Sequence, residues 1–156
     1  MLTNPSPNES RRVRPCVAVC LHWTGGSYAS ALDWCQRPEA KVSYHEIISP
    51  TGEVATLVDP DRSAWAVGKG KAPAPWQGTA CNSMTYNIAL AGAPPKPVTP
   101  AQWDTLMEQI RLAFRRFKWP LADTHRVTGH ADWAPGRKPD PWGNGWLKVH
   151  EVREAL

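Results

Sequence analysis

Hydrophobic and polar positions along the chain predict an alternation of short strands and helices. The run VRPCVAVCLH, residues 13–22, is apolar almost throughout, which is typical of a strand buried on both faces. A WTGGS segment ends this run, and the helical spacing of apolar residues from Ser27 onward predicts a short helix. KVSYHEIIS (41–49), a PTGE turn and VATLVD (54–59) have the pattern of two strands joined as a hairpin.

The middle of the chain contrasts a turn-rich segment with a short apolar one. Residues 60–84 carry turn residues throughout and are expected to form a long ordered loop. Two tryptophans in it, Trp65 and Trp76, favour a functional loop over a disordered one. TYNIALAG (85–92) is expected to form another strand, and residues 145–156 offer apolar positions for a closing helix.

The clearest helix of the sequence opens at Thr99. With Thr99 as N-cap, Pro100 at the first helical position and Gln102 at the third, the segment has a capping box and a preset backbone angle. Apolar residues then recur at a 3.6-residue period as far as Phe117 and mark a core face. Strand, helix, hairpin, strand and long helix together predict an α/β fold, a mixed central β-sheet flanked by helices.

Composition agrees with one soluble globular domain. The 156 residues, 42% hydrophobic and 21% charged, suffice for a single core, expected over 13–156 after a loose, flexible N-terminal tail over 1–12. Neither a transmembrane segment nor a signal peptide is readable, so synthesis in the cytoplasm is expected. The net charge of +4 is scattered along the chain, so nucleic acid is not an expected partner, and we expect a monomer.

Candidate chemistry is concentrated in one stiff run near the C-terminus. VTGHADWAPGRKPDPW (127–142) contains His130, Lys138, Asp140 and three prolines, which exclude a helix and restrict the backbone. Far earlier in the chain, His22 closes the first buried strand just before a Gly-Gly turn. Two imidazoles and one carboxylate leave a fourth tetrahedral position open, which is the arrangement of a catalytic zinc ion. These three side chains are therefore candidate ligands of one Zn²⁺ ion.

Three segments of the sequence resemble a known family. VCLHWTGG (19–26), KVSYHEIISPTGEV (41–54) and GHADWAPGRKPDP (129–141) are similar to the signature segments of zinc-dependent N-acetylmuramoyl-L-alanine amidases of the type-2, peptidoglycan-recognition-protein superfamily. The resemblance extends over about residues 13–146 and is greatest to small phage amidase endolysins. It implies a mixed sheet flanked by helices and hydrolysis of the amide bond between N-acetylmuramic acid and L-alanine of the peptidoglycan stem peptide.

The same resemblance implies roles for individual residues. It places zinc on His22, His130 and Asp140, assigns stabilisation of the oxyanion to Lys138, and puts Tyr44 near the metal-bound water. Zinc lowers the pKa of its bound water to about 7 and polarises the scissile carbonyl. A cation beside the developing oxyanion favours the tetrahedral intermediate over the ground state. Peptidoglycan or a muropeptide is the implied partner.

Two departures from the family pattern leave the general base open. Cytosolic recycling amidases carry a catalytic glutamate in the strand that matches TYNIALAG, where this chain has Ala89. Phage-type relatives also lack that glutamate and keep the tyrosine, although several have a cysteine in place of Asp140. Glu46 is an alternative base to Tyr44, since strand alternation would put both on one face. Otherwise Glu46 is an exposed strand carboxylate.

Ala89 favours a phage-type endolysin, acting on the cell wall in the host periplasm, over a cytosolic muropeptide-recycling amidase. A secreted antibacterial effector would share this chemistry and stays open. A non-catalytic peptidoglycan-binding module is the competing class, against which the retained Asp140 and Lys138 argue. No substrate-binding residue is assigned, because Trp65 and Trp76 either line a cleft or belong to the core. The remaining polar candidates are expected to be structural or solvated: Asp132, Lys69, Lys71, His125 and His150.

Overall fold

The computed structural model describes residues 1–141 and 146–156, which form a five-stranded sheet with helices on both faces and a separate two-stranded ribbon. The strands are β1 (Glu9–Arg11), β2 (Ala18–Trp23), β3 (Glu46–Ile48), β4 (Val54–Thr56), β5 (Arg62–Ala64), β6 (Thr85–Leu90) and β7 (Val127–Gly129). The helices are α1 (Tyr28–Cys35), α2 (Cys81–Met84), α3 (Pro100–Arg116), α4 (His130–Trp133) and α5 (Val149–Glu154). Short 3-10 turns cover Pro38–Ala40 and Thr124–Arg126.

The central sheet has the strand order β4-β3-β6-β2-β7. Its inner strands run parallel, and β4 pairs antiparallel with β3 as the predicted hairpin. One face carries Leu21 and Ile88 and is packed against α3 and α5, whereas the other carries Ile47 and Ala89 and is packed against α1. The predicted mixed sheet flanked by helices is confirmed.

Side-chain caps begin both of the longer helices, and the cap at Thr99 was predicted from the sequence. Thr99 Oγ1 accepts from the Gln102 backbone N–H at 3.1 Å, and the Gln102 side chain accepts from the Thr99 N–H at 3.2 Å. Ser27 caps α1 in the same way by accepting from the Ser30 N–H. Because each cap satisfies backbone donors that have no partner inside the helix, it fixes where the helix begins.

The N-terminal segment 1–12 does not hang free as the expected loose tail. The Thr3 and Asn4 backbone N–H groups donate to the carbonyl oxygen of Thr56, and β1 pairs antiparallel with β5. The Asn8 amide is 1% exposed and donates to three backbone carbonyls, those of Cys35, Arg37 and Val42. The segment is polar in sequence and is held by hydrogen bonds to backbone and side-chain groups.

Two further expectations about loops are corrected by the structure. Residues 60–84 contain β5 and α2 rather than one continuous loop. The proline-bearing run, 127–142, also contains the single helical turn α4 after strand β7, although a helix was excluded there. Proline restricts the residue just before it, so Pro135 constrains Ala134, where the turn ends, and leaves His130–Trp133 free to be helical.

The closing helix α5 begins at Val149, whereas the start predicted for it at residue 145 and the end of the proline-bearing run at residue 142 lie outside the described residues. Within the described ranges, no helix is both long and apolar enough to cross a membrane.

Candidate metal centre

The candidate metal centre lies at one edge of the sheet, where parallel strands end. β2 and β7 are neighbours in register, with Leu21 opposite Gly129. His22 and His130 are each the next residue along the chain, so they meet side by side at the carboxyl ends of the two strands. Leu21 faces the α3 core, and the alternation of a strand therefore turns His22 to the opposite face of the sheet.

Asp140 completes the cluster from the proline-stiffened segment. The Ala131 backbone N–H donates to the carbonyl oxygen of Asp140 at 2.9 Å, which ties this segment to the start of α4. The three side chains are buried, at 1%, 4% and 6% exposure for His22, His130 and Asp140. Their convergence was the central sequence prediction, and these residues form a cluster suited to holding a metal ion.

Three potential ligand atoms form a nearly equilateral triangle. His22 Nδ1 lies 3.1 Å from His130 Nδ1 and 3.2 Å from Asp140 Oδ2, and His130 Nδ1 lies 3.1 Å from the same carboxylate oxygen. Ligands at the usual Zn–N distance of about 2.0–2.1 Å in tetrahedral geometry are about 3.3–3.4 Å apart. The triangle therefore has close to the dimensions that a zinc ion requires of three ligands.

The protonation of the site also suits a cation. The Val67 carbonyl oxygen, which can only accept, lies 3.1 Å from His130 Nε2. The proton of a neutral His130 is therefore on Nε2, and the lone pair of Nδ1 points into the triangle.

His22 is in the neutral form that metal binding needs. Burial is the main cause that lowers the pKa of its imidazole, and the neighbouring His130 adds to the effect. Its outer nitrogen, Nε2, lies 3.0 Å from Asn87 Oδ1. A neutral imidazole facing a second imidazole and a carboxylate gives a compact set of electron-pair donors, and this donor set fits Zn²⁺.

Tyr44 is half-buried beside His22, whereas Lys138 is exposed to solvent. The half-buried Tyr44 ring lies 5.2 Å from the His22 ring, centroid to centroid, and burial raises the pKa of its phenol well above the ordinary value. Tyr44 is therefore a protonated hydroxyl beside the candidate metal centre. Lys138 is exposed, two residues before Asp140, on the segment that the Lys138 backbone N–H ties to Ala134.

Glu46 is on the far face of the sheet from the candidate metal centre. β3 begins at Glu46, so strand alternation does not extend back to Tyr44, and the shared face expected for these two residues is wrong. Glu46 Oε1 accepts from the Tyr86 hydroxyl at 2.8 Å, and Tyr86 packs in the α3 core. Glu46 is buried rather than exposed, and burial raises the pKa of its carboxyl group to about 7.

Other polar candidates have the structural roles that were expected. Asp132 Oδ2 accepts from the Gly129 backbone N–H at 2.8 Å and so caps α4. The remaining four are exposed: Lys69, Lys71, His125 and His150.

Neither tryptophan of segment 60–84 touches the three candidate ligands among the described contacts. The Trp65 indole N–H donates to Ser10 Oγ at 3.3 Å, beside the N-terminal ribbon. Trp76 stacks between Trp133 and His125, with ring centroids 6.0 and 5.7 Å away. Trp65 is therefore held by a hydrogen bond and Trp76 by stacking, both away from the three candidate ligands.

Two features of the site were missed in the sequence. The Val67 carbonyl accepts from His130 and also from Arg137, whose Nη2 lies 2.7 Å away. Asn87 contacts His22 from the neighbouring strand, where Cys20 is its register partner. Both contacts join residues that are far apart in sequence, so no local pattern of residues predicts them.

An open cleft of about 650 Å³ lies beyond the carboxyl ends of β2 and β6, and none of the three candidate ligands is among its lining residues. Its wall is largely apolar and includes the turn Gly25–Gly26, Tyr28, the segment Pro94–Pro97 and Trp146. Because it opens at the same edge of the sheet as the candidate metal centre, it offers room for a ligand that extends away from the three side chains.

Comparison with known proteins agrees with this architecture. The sequence profile of the family Amidase_2, N-acetylmuramoyl-L-alanine amidase, matches residues 12–143. The 1,6-anhydro-N-acetylmuramyl-L-alanine amidase AmpD of Enterobacter cloacae is 35% identical over 108 residues, which are 68% of this chain and 54% of that protein. A crystal structure of an AmpD derivative has a TM-score of 0.75 at 26% identity and covers 99% of this chain and 95% of the other.

The fold is also shared with a protein named as an endolysin. LysCS of Clostridium intestinale has a TM-score of 0.71 at 19% identity, with 100% of this chain and 91% of the other covered, which shows the fold alone. This chain spans about half the length of the AmpD sequences that it matches. The family profile nevertheless covers most of the chain and contains all three candidate ligands. The chain belongs to the N-acetylmuramoyl-L-alanine amidase family.

Proposed function

We propose that this chain is a zinc-dependent peptidoglycan amidase that hydrolyses the bond between N-acetylmuramic acid and L-alanine of the stem peptide. The observation that carries the proposal is the buried triangle of His22 Nδ1, His130 Nδ1 and Asp140 Oδ2, with sides of 3.1–3.2 Å. Three ligands leave one position of a tetrahedral ion for water or substrate, as in catalytic zinc sites. The family match names the bond.

His22, His130 and Asp140 would hold the metal, which when bound supplies a Lewis acid and a water of lowered pKa. Lys138 supplies positive charge at the rim of the site, where it can stabilise the oxyanion that develops on the scissile carbonyl. Tyr44, protonated and next to His22, can donate a hydrogen bond or pass on a proton. The cleft beyond the carboxyl ends of β2 and β6 offers room for the peptide portion of the substrate.

The absence of a carboxylate at Ala89 supports a wall-lytic role of the phage-endolysin type. Ala89 is the register partner of His22 and is fully buried, so a base from this strand position is not available. Acid–base work would fall instead to Tyr44, as the resemblance to phage-type amidases implies. In that role the enzyme would act on peptidoglycan of the bacterial cell wall.

A soluble muropeptide is the second candidate substrate. The relative at 35% identity is named a 1,6-anhydro-N-acetylmuramyl-L-alanine amidase, and the sequence similarity to it favours a recycling reaction on the anhydro form. The two roles use the same bond chemistry and differ in whether the glycan is polymeric.

Mass spectrometry of digests tests both the reaction and the substrate. Purified sacculi should release stem peptides with a free L-alanine amino group, and the rate should be compared with that on an anhydro-muropeptide at equal bond concentration. Faster cleavage of sacculi supports the wall-lytic role, and the reverse supports recycling. Zinc bound in equimolar amount without cleavage of either substrate would instead identify a peptidoglycan-binding module.

A matched pair of histidine variants tests the ligand assignment. His22→Ala should lose both zinc and activity. His150→Ala, which alters an exposed histidine on α5, should retain both. Elemental analysis after gel filtration measures the zinc, and equal zinc in the two variants would contradict the assignment.

A further inference from the structure

The two histidines of the metal centre are held from behind in different ways. His130 Nε2 faces a backbone carbonyl, which can act only as an acceptor. His22 Nε2 faces the side-chain amide of Asn87, which is fully buried on β6. An amide presents either an oxygen that accepts or a nitrogen that donates, so the position of the proton on His22 depends on which way Asn87 is turned.

Thr85 determines the orientation of this amide. Thr85 Oγ1 lies 2.9 Å from the Cys81 carbonyl oxygen, so the hydroxyl hydrogen is donated there. Its oxygen then accepts from its other neighbour, Asn87 Nδ2, at 3.0 Å, and the Thr85 carbonyl oxygen is a second acceptor at 3.4 Å. The amide nitrogen therefore points at Thr85, and the amide oxygen is left facing His22.

The backbone of Asn87 is fixed as well. Its N–H donates to His45 Nδ1 at 2.9 Å, and its carbonyl oxygen accepts from the His45 backbone N–H at 3.0 Å. With main chain and amide both held, Asn87 Oδ1 has one place in which to meet His22. His22 must donate from Nε2 to that oxygen, which leaves the lone pair of Nδ1 directed towards His130 and Asp140.

We propose that Asn87 and Thr85 are positioning residues that hold His22 in its metal-binding tautomer. The inference rests on the proposed zinc site and extends it to residues that do not touch the ion. Partners behind a metal-bound histidine fix its tautomer and orientation, and their removal typically costs about 10–100-fold in metal affinity. The group that His130 Nε2 contacts is a backbone carbonyl, so His22 is the candidate ligand whose direct partner is a side chain that mutation can change.

Substitutions that remove the acceptor or its orientation should lower zinc affinity, whereas one that keeps an acceptor should not. Asn87→Leu keeps the approximate size but removes the acceptor, so zinc affinity should fall by about 10–100-fold. Asn87→Asp retains an acceptor, and the Thr85 hydroxyl can turn to donate to it, so affinity should stay within a few-fold of the parent. Thr85→Val removes the group that orients the amide, and affinity should fall in the same direction as in Asn87→Leu.

Asn8→Leu is the matched control, because Asn8 is another buried asparagine with hydrogen bonds to backbone far from the ligands. Both leucine variants should lower the melting temperature of the apoprotein. Only Asn87→Leu should lower zinc affinity, measured by competition with a chelator at a temperature where each variant is folded. If Asn87→Leu does not fold, Thr85→Val and Asn87→Asp carry the comparison.

Nitrogen-15 NMR of the imidazoles in the apoprotein gives a second readout that does not depend on zinc or activity. His22 should carry its proton on Nε2 in the parent chain and in Asn87→Asp, and should lose this preference in Thr85→Val. A proton on Nδ1 in the parent, or unchanged zinc affinity in folded Asn87→Leu and Thr85→Val, would overturn the inference. A parent chain that binds no zinc would refute the proposed function, while the NMR result would still decide the tautomer.

Discussion

Glu46→Gln should make the protein more stable at neutral and alkaline pH but not at pH 4.5. Glu46 has a relative exposure of 7%; Oε1 accepts from the Tyr86 hydroxyl, and Oε2 has no hydrogen-bond partner among the residues that the structure describes. Burial raises the pKa of this carboxyl group to about 7, from an ordinary value of 4.5. Ionisation of this carboxyl group is therefore less favourable in the folded protein than in the unfolded chain, where the group is hydrated.

The sign and size follow from the two pKa values. Between pH 4.5 and 7 the folded state binds more protons than the unfolded state, so the free energy of unfolding falls as pH rises. The contribution of protonated Glu46 is complete below pH 4.5 and is lost as pH passes 7. At about 1.4 kcal/mol per pKa unit, a difference of roughly 2.5 units gives about 3.4 kcal/mol in full, of which about 3 kcal/mol is lost between pH 4.5 and 8.

Urea denaturation of the parent and of Glu46→Gln across pH 4.5–8 measures this quantity. The difference in unfolding free energy between the two chains should grow by about 3 kcal/mol over the range, whereas groups common to both cancel. Glu108→Gln, an exposed carboxylate on α3, should give a nearly constant difference. A constant difference for Glu46→Gln as well would show that Glu46 ionises normally and would refute the assignment of its environment.

Three more substitutions test other parts of the molecule. Lys138→Ala should retain zinc but lower kcat by about 10²–10³, whereas Lys71→Ala should leave kcat unchanged; equal rates would remove the oxyanion role. Tyr44→Phe should lower kcat with zinc still bound, and an unchanged pH–rate profile would point to another proton donor. Thr99→Ala should lower the free energy of unfolding by about 1 kcal/mol, because the α3 cap is lost. A decrease of less than about 0.3 kcal/mol in thermal unfolding would contradict this.

Local patterns were enough to find most strands of the central sheet, the helix α3 and the three candidate metal ligands. Thr99, Pro100 and Gln102 mark the start of α3 because capping involves residues within one turn. His22 could be found because it ends a buried strand, and in a sheet with parallel strands the carboxyl ends meet at one edge. Asp140 could be found because the prolines around it indicate a held position. Each of these inferences uses only near neighbours in sequence.

The predictions that were wrong concern residues whose partners are far away in sequence. The segment 1–12 is tied down by residues near 56 and by β5, and the three acceptors of the Asn8 amide are 27–34 residues away. Glu46 was assigned to the wrong face of the sheet because the sequence around it does not show that β3 begins at Glu46. A shift of one residue in the start of a strand, or a break before it, changes the face to which a side chain points.

The surroundings of His130 can be traced to a local sequence motif, whereas those of His22 depend on which strands are neighbours. The acceptor behind His130 is the Val67 carbonyl, and Arg137 Nη2 donates to this oxygen and to the Lys69 carbonyl. Arg137 is in the same proline-stiffened run as Asp140, so one short segment supplies a ligand and also holds the loop behind another ligand. A conspicuous sequence motif thus accounts for one half of the site, whereas the half around His22 is built by the pairing of β2 with β6 and becomes visible only in the fold.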